Sequence, residues 1–327
     1  MRGDARAAAH AGSFYPASPE ALRRLVDAQL AEAAGLGDDG TRPGAGAQPG
    51  GGPAHDRSPD LPGPPHVPGS PPRLSRPAGL VVPHAGLVYS GRVAASAWGL
   101  LREEPPDAIV IAGTNHYWPG LEGVAVWPTG AWETPLGEVP VAASLAADVL
   151  ALGDPFGALP AAHRREHSIE VQLPFIARAC PGVPIVPLLV SFASSEAALS
   201  AGATLGRLLA ELRSGDVEVV LAASSDFAHY PPAAEAEAVT RSLVPPLLAL
   251  DGRELARREE AIRRSGRAGL ACGMCGIEPV LFAVGAFGAM ALATGRLLAA
   301  GTSADVPGAD PDRTVGYAAI AFDVAPS

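Results

Sequence analysis

Only three cysteines, Cys180, Cys272 and Cys275, occur in 327 residues. A sparse, odd set in a chain this long excludes a disulfide scaffold. Aromatic residues are scarce at 5%, yet 48% of the chain is hydrophobic and 18% charged, which is ample apolar material for a sizeable core. No basic cluster reaches the density that phosphate-backbone binding needs. RREHS (164–168) and RREEAIRRSGR (257–267) mix bases with acids and read as solvated helix faces. A nucleic-acid partner is therefore not expected. The net charge of −10 favours solubility and says little about a substrate.

Membrane and targeting signals are missing as well. The N-terminus has no apolar signal-peptide core. No apolar run spans a bilayer without interruption. Ala271–Leu298 is apolar but contains Glu278, Pro279, Arg296 and several glycines, so it reads as a buried helix. A soluble, cytoplasmic protein is expected.

Nucleotide and hydrolase fingerprints are absent too. There is no P-loop, no G-x-G-x-x-G after the first strand and no H-E-x-x-H. Ser90, Ser168, Ser224 and Ser225 all lie outside a G-x-S-x-G elbow.

What is present is a recurrence. Three apolar, strand-like runs each end in a polar segment carrying a histidine: LVVPHAGLVYSG (80–91), AIVIAGTNHYWPG (108–120) and VEVVLAASSDFAHY (217–230). They place His84, His116, Asp226 and His229 just past candidate strand ends. In an open α/β sheet that is where ligands bind.

Around these runs, strand patterns alternate with helical ones. Strands are predicted at 79–83, 107–113, 124–128, 183–190, 217–225 and 316–322, and helices near 92–102, 139–152 and 167–180, with further helical segments up to about 299. Ser18 and Pro19 open an N-terminal helix with a stripe of Leu22, Leu25, Val26 and Leu30. The alternation predicts a single α/β domain over 1–327, with a mostly parallel central sheet covered by helices. Residues 37–77 are dominated by Gly and Pro and read as a flexible surface insertion, in which His55 and His66 are incidental.

The remaining chemistry-bearing residues fall in two clusters. In HRREHSIE (163–170), Glu166 and His167 suit hydrogen bonding or proton transfer near neutral pH. In ACGMCGIEPV (271–280), Cys272 and Cys275 form a C-x-x-C pair at an expected helix start. One pair cannot close a four-cysteine zinc site, which leaves redox chemistry, a single thiolate joining a histidine site, or simple packing. If SSDFAHY forms a helical turn, Asp226 and His229 share one face. Both could then be ligands, or the carboxylate could orient the imidazole.

The motifs AGSFYP (11–16), PHAGLVYSG (83–91), GTNHY (113–117), WETPLG (132–137), EHSIEVQLPF (166–175), SSDFAHY (224–230), CGIEPV (275–280) and VGYAAIAF (315–322) occur in this order. Together they resemble the Memo family, called AmmeMemoRadiSam system protein B in prokaryotes, across nearly all of the chain outside 37–77. The resemblance implies a fold similar to class III extradiol dioxygenases. It also implies a mononuclear pocket in which His84, His116 and Cys275 ligate metal, supported by Asp226 and His229. His229, Glu166 and His167 become candidate catalytic groups. Iron(II) is the implied metal, with copper or zinc as alternatives. The implied activity is metal-dependent redox or oxygen chemistry on a small molecule. A non-catalytic peptide- or protein-binding module and a metal-assisted hydrolase are the other readings. A radical SAM protein and an AMMECR1-like protein are the implied partners. Three departures stand out: Cys272 adds a second thiol, the Gly/Pro insertion at 37–77 is atypical, and the dioxygenase-type glutamate ligand has no counterpart.

Overall fold

The computed structural model describes residues 5–35 and 76–325. The predicted insertion at 37–77 lies almost wholly outside them. In chain order the elements are β1 (Ala5–Arg6), α1 (Pro19–Gly35), β2 (Gly79–Val82), α2 (Leu87–Trp98), β3 (Ala108–Thr114), β4 (Gly123–Val126), β5 (Ala131–Thr134), β6 (Gly137–Pro140), α3 (Ala143–Ala151), β7 (Phe156–Ala158), α4 (Pro160–His163) and α5 (Leu173–Ala179). There follow β8 (Ile185–Ser191), α6 (Ser195–Ser214), β9 (Val219–Ser224), β10 (Phe227–His229), α7 (Ala233–Leu248), α8 (Gly252–Arg264), β11 (Cys272–Met274), α9 (Ile277–Ala289), β12 (Arg296–Thr302) and β13 (Val315–Phe322).

One sheet of ten strands dominates. Its order is β11-β10-β13-β2-β9-β3-β8-β4-β7, with β12 paired to β13 off that path. The centre, β2-β9-β3-β8, is parallel throughout. Each of these strands is a nearly unbroken apolar run, because helices cover both faces and neither face meets water. On either side of this centre the next pairing is antiparallel. β13 runs antiparallel to β2, β10 and β12, and β4 antiparallel to β8. The fold is thus mixed α/β, with the expected parallel strands in its middle and one further parallel pair, β4 with β7, at an edge. β1, β5 and β6 make a separate three-stranded sheet.

Apolar side chains alternate between two clusters on opposite sides of the sheet. One holds Val81, Val110, Leu188 and Leu221 against α6, α7 and α9. The other holds Leu80, Ile109, Ile111 and Val220 against α1, α2 and α5. The predicted cap of α1 is present: Ser18 Oγ accepts a hydrogen bond from the Ala21 amide at 3.3 Å, which satisfies a first-turn donor.

Three local expectations are corrected. Residues 227–229 are a strand, not a helical turn, so Asp226 and His229 do not share a helix face. Its pairing with β11 and β13 decides the conformation. The stretch up to 299 is interrupted by strands β11 and β12, and only 277–289 of the apolar segment 271–298 is helical. The C-x-x-C pair therefore straddles a strand and a turn: Cys272 opens β11, and Cys275 sits two residues before α9. Pro174 lies in the first turn of α5, where its missing amide proton costs nothing.

Candidate metal centre

The recurrence of histidines at strand exits has a direct geometric cause. β2, β9 and β3 are neighbours and run the same way. Their C-terminal ends therefore deliver His84, Asp226 and His116 to one rim of the sheet. The turn after β11 adds Cys275, and the segment before α5 adds Glu166 and His167.

His84 is almost fully buried, and its ring is held by a chain of hydrogen bonds. The Trp98 indole N–H donates to Gln172 Oε1 at 2.9 Å, which fixes the amide's orientation. Gln172 Nε2 then donates to the Pro83 carbonyl at 2.8 Å and to Ser224 Oγ at 3.1 Å. The Ser224 hydroxyl spends its only proton on the Ser168 carbonyl at 2.7 Å. Ser224 Oγ can thus only accept from His84 Nδ1, 3.0 Å away. His84 carries its proton on Nδ1 and has a bare lone pair on Nε2. That Nε2 faces Cys275 Sγ at 3.2 Å.

Asp226 secures the same turn from below. Its Oδ1 accepts the backbone amides of His84 at 2.7 Å and Ala85 at 3.2 Å. Its carboxyl is raised above the ordinary range, chiefly by burial, although His229 and the two amides oppose the shift. The Asp226 carbonyl accepts the Cys275 amide at 3.2 Å. One residue thus positions both the histidine turn and the cysteine turn.

On the other side, Glu166 gathers His116 and His167. Its carboxylate accepts the His116 amide at 2.8 Å, His116 Nδ1 at 2.9 Å, and the His167 and Ser168 amides at 2.9 Å each. Burial alone would raise its pKa. The hydrogen bonds from the His116 ring and amide, with the electrostatic influence of the His116 and His167 rings, overcome that and hold it at about 2. The carboxylate is therefore ionised, and His116 Nδ1 is its donor. The free lone pair of His116 is on Nε2, as in His84. Because its oxygens are occupied by these four donors, Glu166 is an orienting group rather than a metal ligand.

The three imidazoles lie together. His116 and His167 rings stack at 4.4 Å between centroids, and His84 meets each edge-on at 5.3 Å. Burial, then the neighbouring imidazoles, push His84 down to about 3 and His167 to about 2, so both are neutral at physiological pH. Among the described residues, two groups have ligand atoms within 4.8 Å of one another: His84, His116 and His167, and His84, Asp226 and Cys275. His84 belongs to both. Among the described residues, the combination His84, His116 and Cys275 is not itself such a group. His167, read from sequence as a proton-transfer residue, sits as close to His84 and His116 as a ligand would. His229 stands further back. Its Nε2 is 3.9 Å from Asp226 Oδ2 and is buried without a hydrogen-bond partner.

A wall from the N-terminal segment completes the cleft. Phe14 packs on His167 at 4.5 Å and His10 at 5.6 Å, measured between ring centroids. Glu170 pins this segment by accepting from the amides of Ala9 and His10, Arg6 Nη1 and Tyr15 Oη, the last at 2.5 Å. Gln172, Trp98 and Arg6 were not singled out from the sequence. A buried glutamine or tryptophan leaves no local pattern, and only the fold reveals that they steer His84.

Comparison with known proteins gives a consistent picture. The family described as Memo-like protein matches residues 66–321. A MEMO1 family protein of Methanopyrus kandleri is 34% identical over 326 residues, covering 97% of this chain and 98% of the relative. One of Methanothermobacter thermautotrophicus is 32% identical, covering 96% and 98%. One of Pyrobaculum aerophilum is 36% identical over 250 residues, covering 75% and 83%.

Proposed function

This chain belongs to the Memo-like protein family, and from that premise we propose that its histidine pocket binds one iron(II) ion and carries metal-dependent redox or oxygen chemistry on a small organic molecule. The ligands in this proposal are His84, His116 and Cys275, with Asp226 and His229 in support. The observation that carries it is the His84–Cys275 pair. Two good metal donors face each other at 3.2 Å, and a hydrogen-bond chain fixes the lone pair of one toward the other.

The donor set fits a transition metal. Imidazole and thiolate suit iron, copper and zinc, whereas a magnesium or calcium site would be built of oxygens. The orienting partners also fit, since ligating imidazoles commonly hold their second nitrogen on a carboxylate or a neutral acceptor. Ser224 does this for His84, and Glu166 for His116.

When bound, the metal would supply a Lewis-acidic, redox-active centre at which substrate is polarised. The chain's own residues do the rest. Glu166 keeps His116 in one tautomer. His167 Nδ1 lies 3.3 Å from Glu166 Oε1 and 3.4 Å from Tyr117 Oη, so the buried carboxylate and the phenol hold its ring in place beside the proposed ligands. Phe14 and His10 shield the His167 side from water.

The test is anaerobic titration with Fe(II), followed by oxygen uptake with candidate substrates. The expected result is one ion per chain, lost in His84→Ala, His116→Ala and Cys275→Ser. His167→Ala should keep the ion and slow turnover. An iron-free wild type that takes up no metal on titration would sink the proposal. Metal lost in His167→Ala but retained in Cys275→Ser would move the site to the three imidazoles.

A further inference from the structure

Two residues with left-handed backbone flank His229: Ala228 at φ 29° and Tyr230 at φ 75°. That region is uncommon for a residue with a side chain, and a true outlier for a bulky one. Such strain persists only where the surroundings enforce it, and it gathers at functional sites. Here the Tyr230 amide donates to the Thr314 carbonyl at 2.6 Å. Thr314 returns two hydrogen bonds to the Pro231 carbonyl, from its amide at 2.9 Å and from Oγ1 at 2.8 Å. Thr314 is fully buried, so the chain at 230–231 is locked to the chain at 314. The lock sets Arg313 on Tyr230. The guanidinium carbon lies 4.1 Å from the centre of the Tyr230 ring, and that ring meets His229 at 5.2 Å between centroids. Both Tyr230 and Arg313 are exposed. Stacking occupies the face of a guanidinium and leaves its edge of N–H donors free. Among the described residues, that edge has no hydrogen-bond or ion-pair partner. Asp310, on the same loop, spends Oδ1 on the Asp312 amide at 2.9 Å instead. In α8, by contrast, Arg257 and Arg258 pair with Glu254, and Arg264 with Glu260.

We propose that Tyr230 and Arg313 form the recognition lip of the histidine pocket, and that they select a small organic acid. The ligand's carboxylate takes the free edge of Arg313, and its body lies along Tyr230 and His229 toward His84. The planar fork of a guanidinium matches a carboxylate through two parallel hydrogen bonds. A phosphate carries up to about two charges and would call for a second cation on the same lip. The second unpaired cation is across the pocket. Arg165 lies 5.7 Å from the centre of the Tyr117 ring, whose hydroxyl reaches His167 Nδ1. The strand order β10-β13-β2-β9-β3 sets Tyr230 and Tyr117 on opposite sides of His84. Arg165 thus adds to the positive field that draws an anion inward, in a chain whose net charge is −10. The exposed rings of Tyr230, Tyr117 and Trp118 supply flat apolar surface for the rest of the molecule. The proposal rests on the metal-pocket reading above for where the acid reacts, and on Arg313 alone for how it is held.

Calorimetric titration of the full chain with benzoate and with benzamide, its neutral isostere, tests this, with and without Fe(II). Wild type should bind benzoate at least about tenfold more tightly than benzamide, as a charge-assisted hydrogen bond predicts. Arg313→Gln should abolish that preference and leave benzamide binding unchanged. Arg313→Lys should restore part of it, because the charge returns without the fork. Tyr230→Gly removes the stacking ring and suits the left-handed backbone. It should therefore lower benzoate affinity while raising the thermal midpoint. Fe(II) uptake should be the same in all three variants as in wild type, since none removes a proposed ligand. A wild type that binds neither probe, or both equally, would overturn the proposal. So would a benzoate preference that survives Arg313→Gln, or inorganic phosphate bound more tightly than benzoate through Arg313. A wild type that takes up no iron yet keeps an Arg313-dependent preference for benzoate would uphold the lip and remove the metal reading alone.

Discussion

Cys275 Sγ faces His84 Nε2 across 3.2 Å, and the bare lone pair on that nitrogen is imposed from the far side of the ring by Ser224. The thiol is the only group of the pair with a proton to share, so it donates to Nε2 in the metal-free protein. A cation entering here takes the place of that proton. Ser224→Ala should therefore weaken metal binding without removing a ligand. The expected loss is about 10–100-fold, the range found when a ligand's outer partner is deleted. Competition against a chromophoric chelator measures it, and ¹⁵N shifts of the His84 ring report the tautomer. An unchanged affinity together with an unchanged tautomer would show that Ser224 does not set the lone pair.

Metal uptake should release a proton. Burial, and then the charge of Asp226, push the Cys275 thiol well above its ordinary range. The thiol is protonated at neutral pH, while a metal ligand must be thiolate. Below the thiol pKa the apparent binding constant then rises about tenfold per pH unit for one released proton. Calorimetry in buffers of different ionisation enthalpy counts that proton directly. One proton released per ion bound is the expected count in the wild type; a count of zero would remove Cys275 from the ligand set.

Much of this was legible in the sequence, for identifiable reasons. Strands β2, β3 and β9 are buried on both faces, so their apolar runs are continuous and their polar exits stand out. Those exits carry His84, His116 and Asp226. The local form of 226–229 was not legible, because the strand there exists only through pairing with distant β11 and β13. The same holds for β12, whose Leu- and Ala-rich sequence fits a helix until β13 lies beside it. Glu166 was visible as a carboxylate near the site. Its role as a clamp that joins His116 to the adjacent His167 depends on contacts to His116, 50 residues away in sequence.

Gly276 is a steric requirement of the site. A Cβ there would stand 2.8 Å from Ser225 Cβ and 2.9 Å from the Ser224 carbonyl oxygen. Those atoms belong to the strand end that holds His84, and backbone cannot yield as a flexible side chain can. Gly276→Ala should destabilise the protein by about 1–3 kcal/mol, as overpacked interiors do. It should also push the neighbouring Cys275 away from His84. Urea denaturation and metal titration on the same variant read the two effects. Wild-type stability and affinity together would mean that the turn has room to relax.

Acid should destabilise the metal-free protein early, and histidine should be the cause. Burial lowers His163 to about 3 and His84 to about 3 from an ordinary 6.5, and His167 to about 2. For each, the unfolded chain binds a proton first. Stability is thus complete above about pH 6.5 and falls as pH drops, until the folded imidazole also protonates near its own lowered pKa. Each histidine contributes up to about 1.4 kcal/mol per pH unit inside that window. Glu166 adds a second loss, because its lowered carboxyl stabilises the fold above about 4.5 and ceases to do so as pH falls through about 2. His163 isolates the histidine effect, since it lies away from the candidate ligands and its Nε2 meets only the Ala125 carbonyl at 3.0 Å. His163→Gln keeps a donor for that carbonyl and removes one titrating ring. Urea midpoints between pH 7.5 and 5 should fall less steeply in this variant, by about one proton's worth of slope. Parallel curves for variant and wild type would show that the buried imidazole is not what acid attacks.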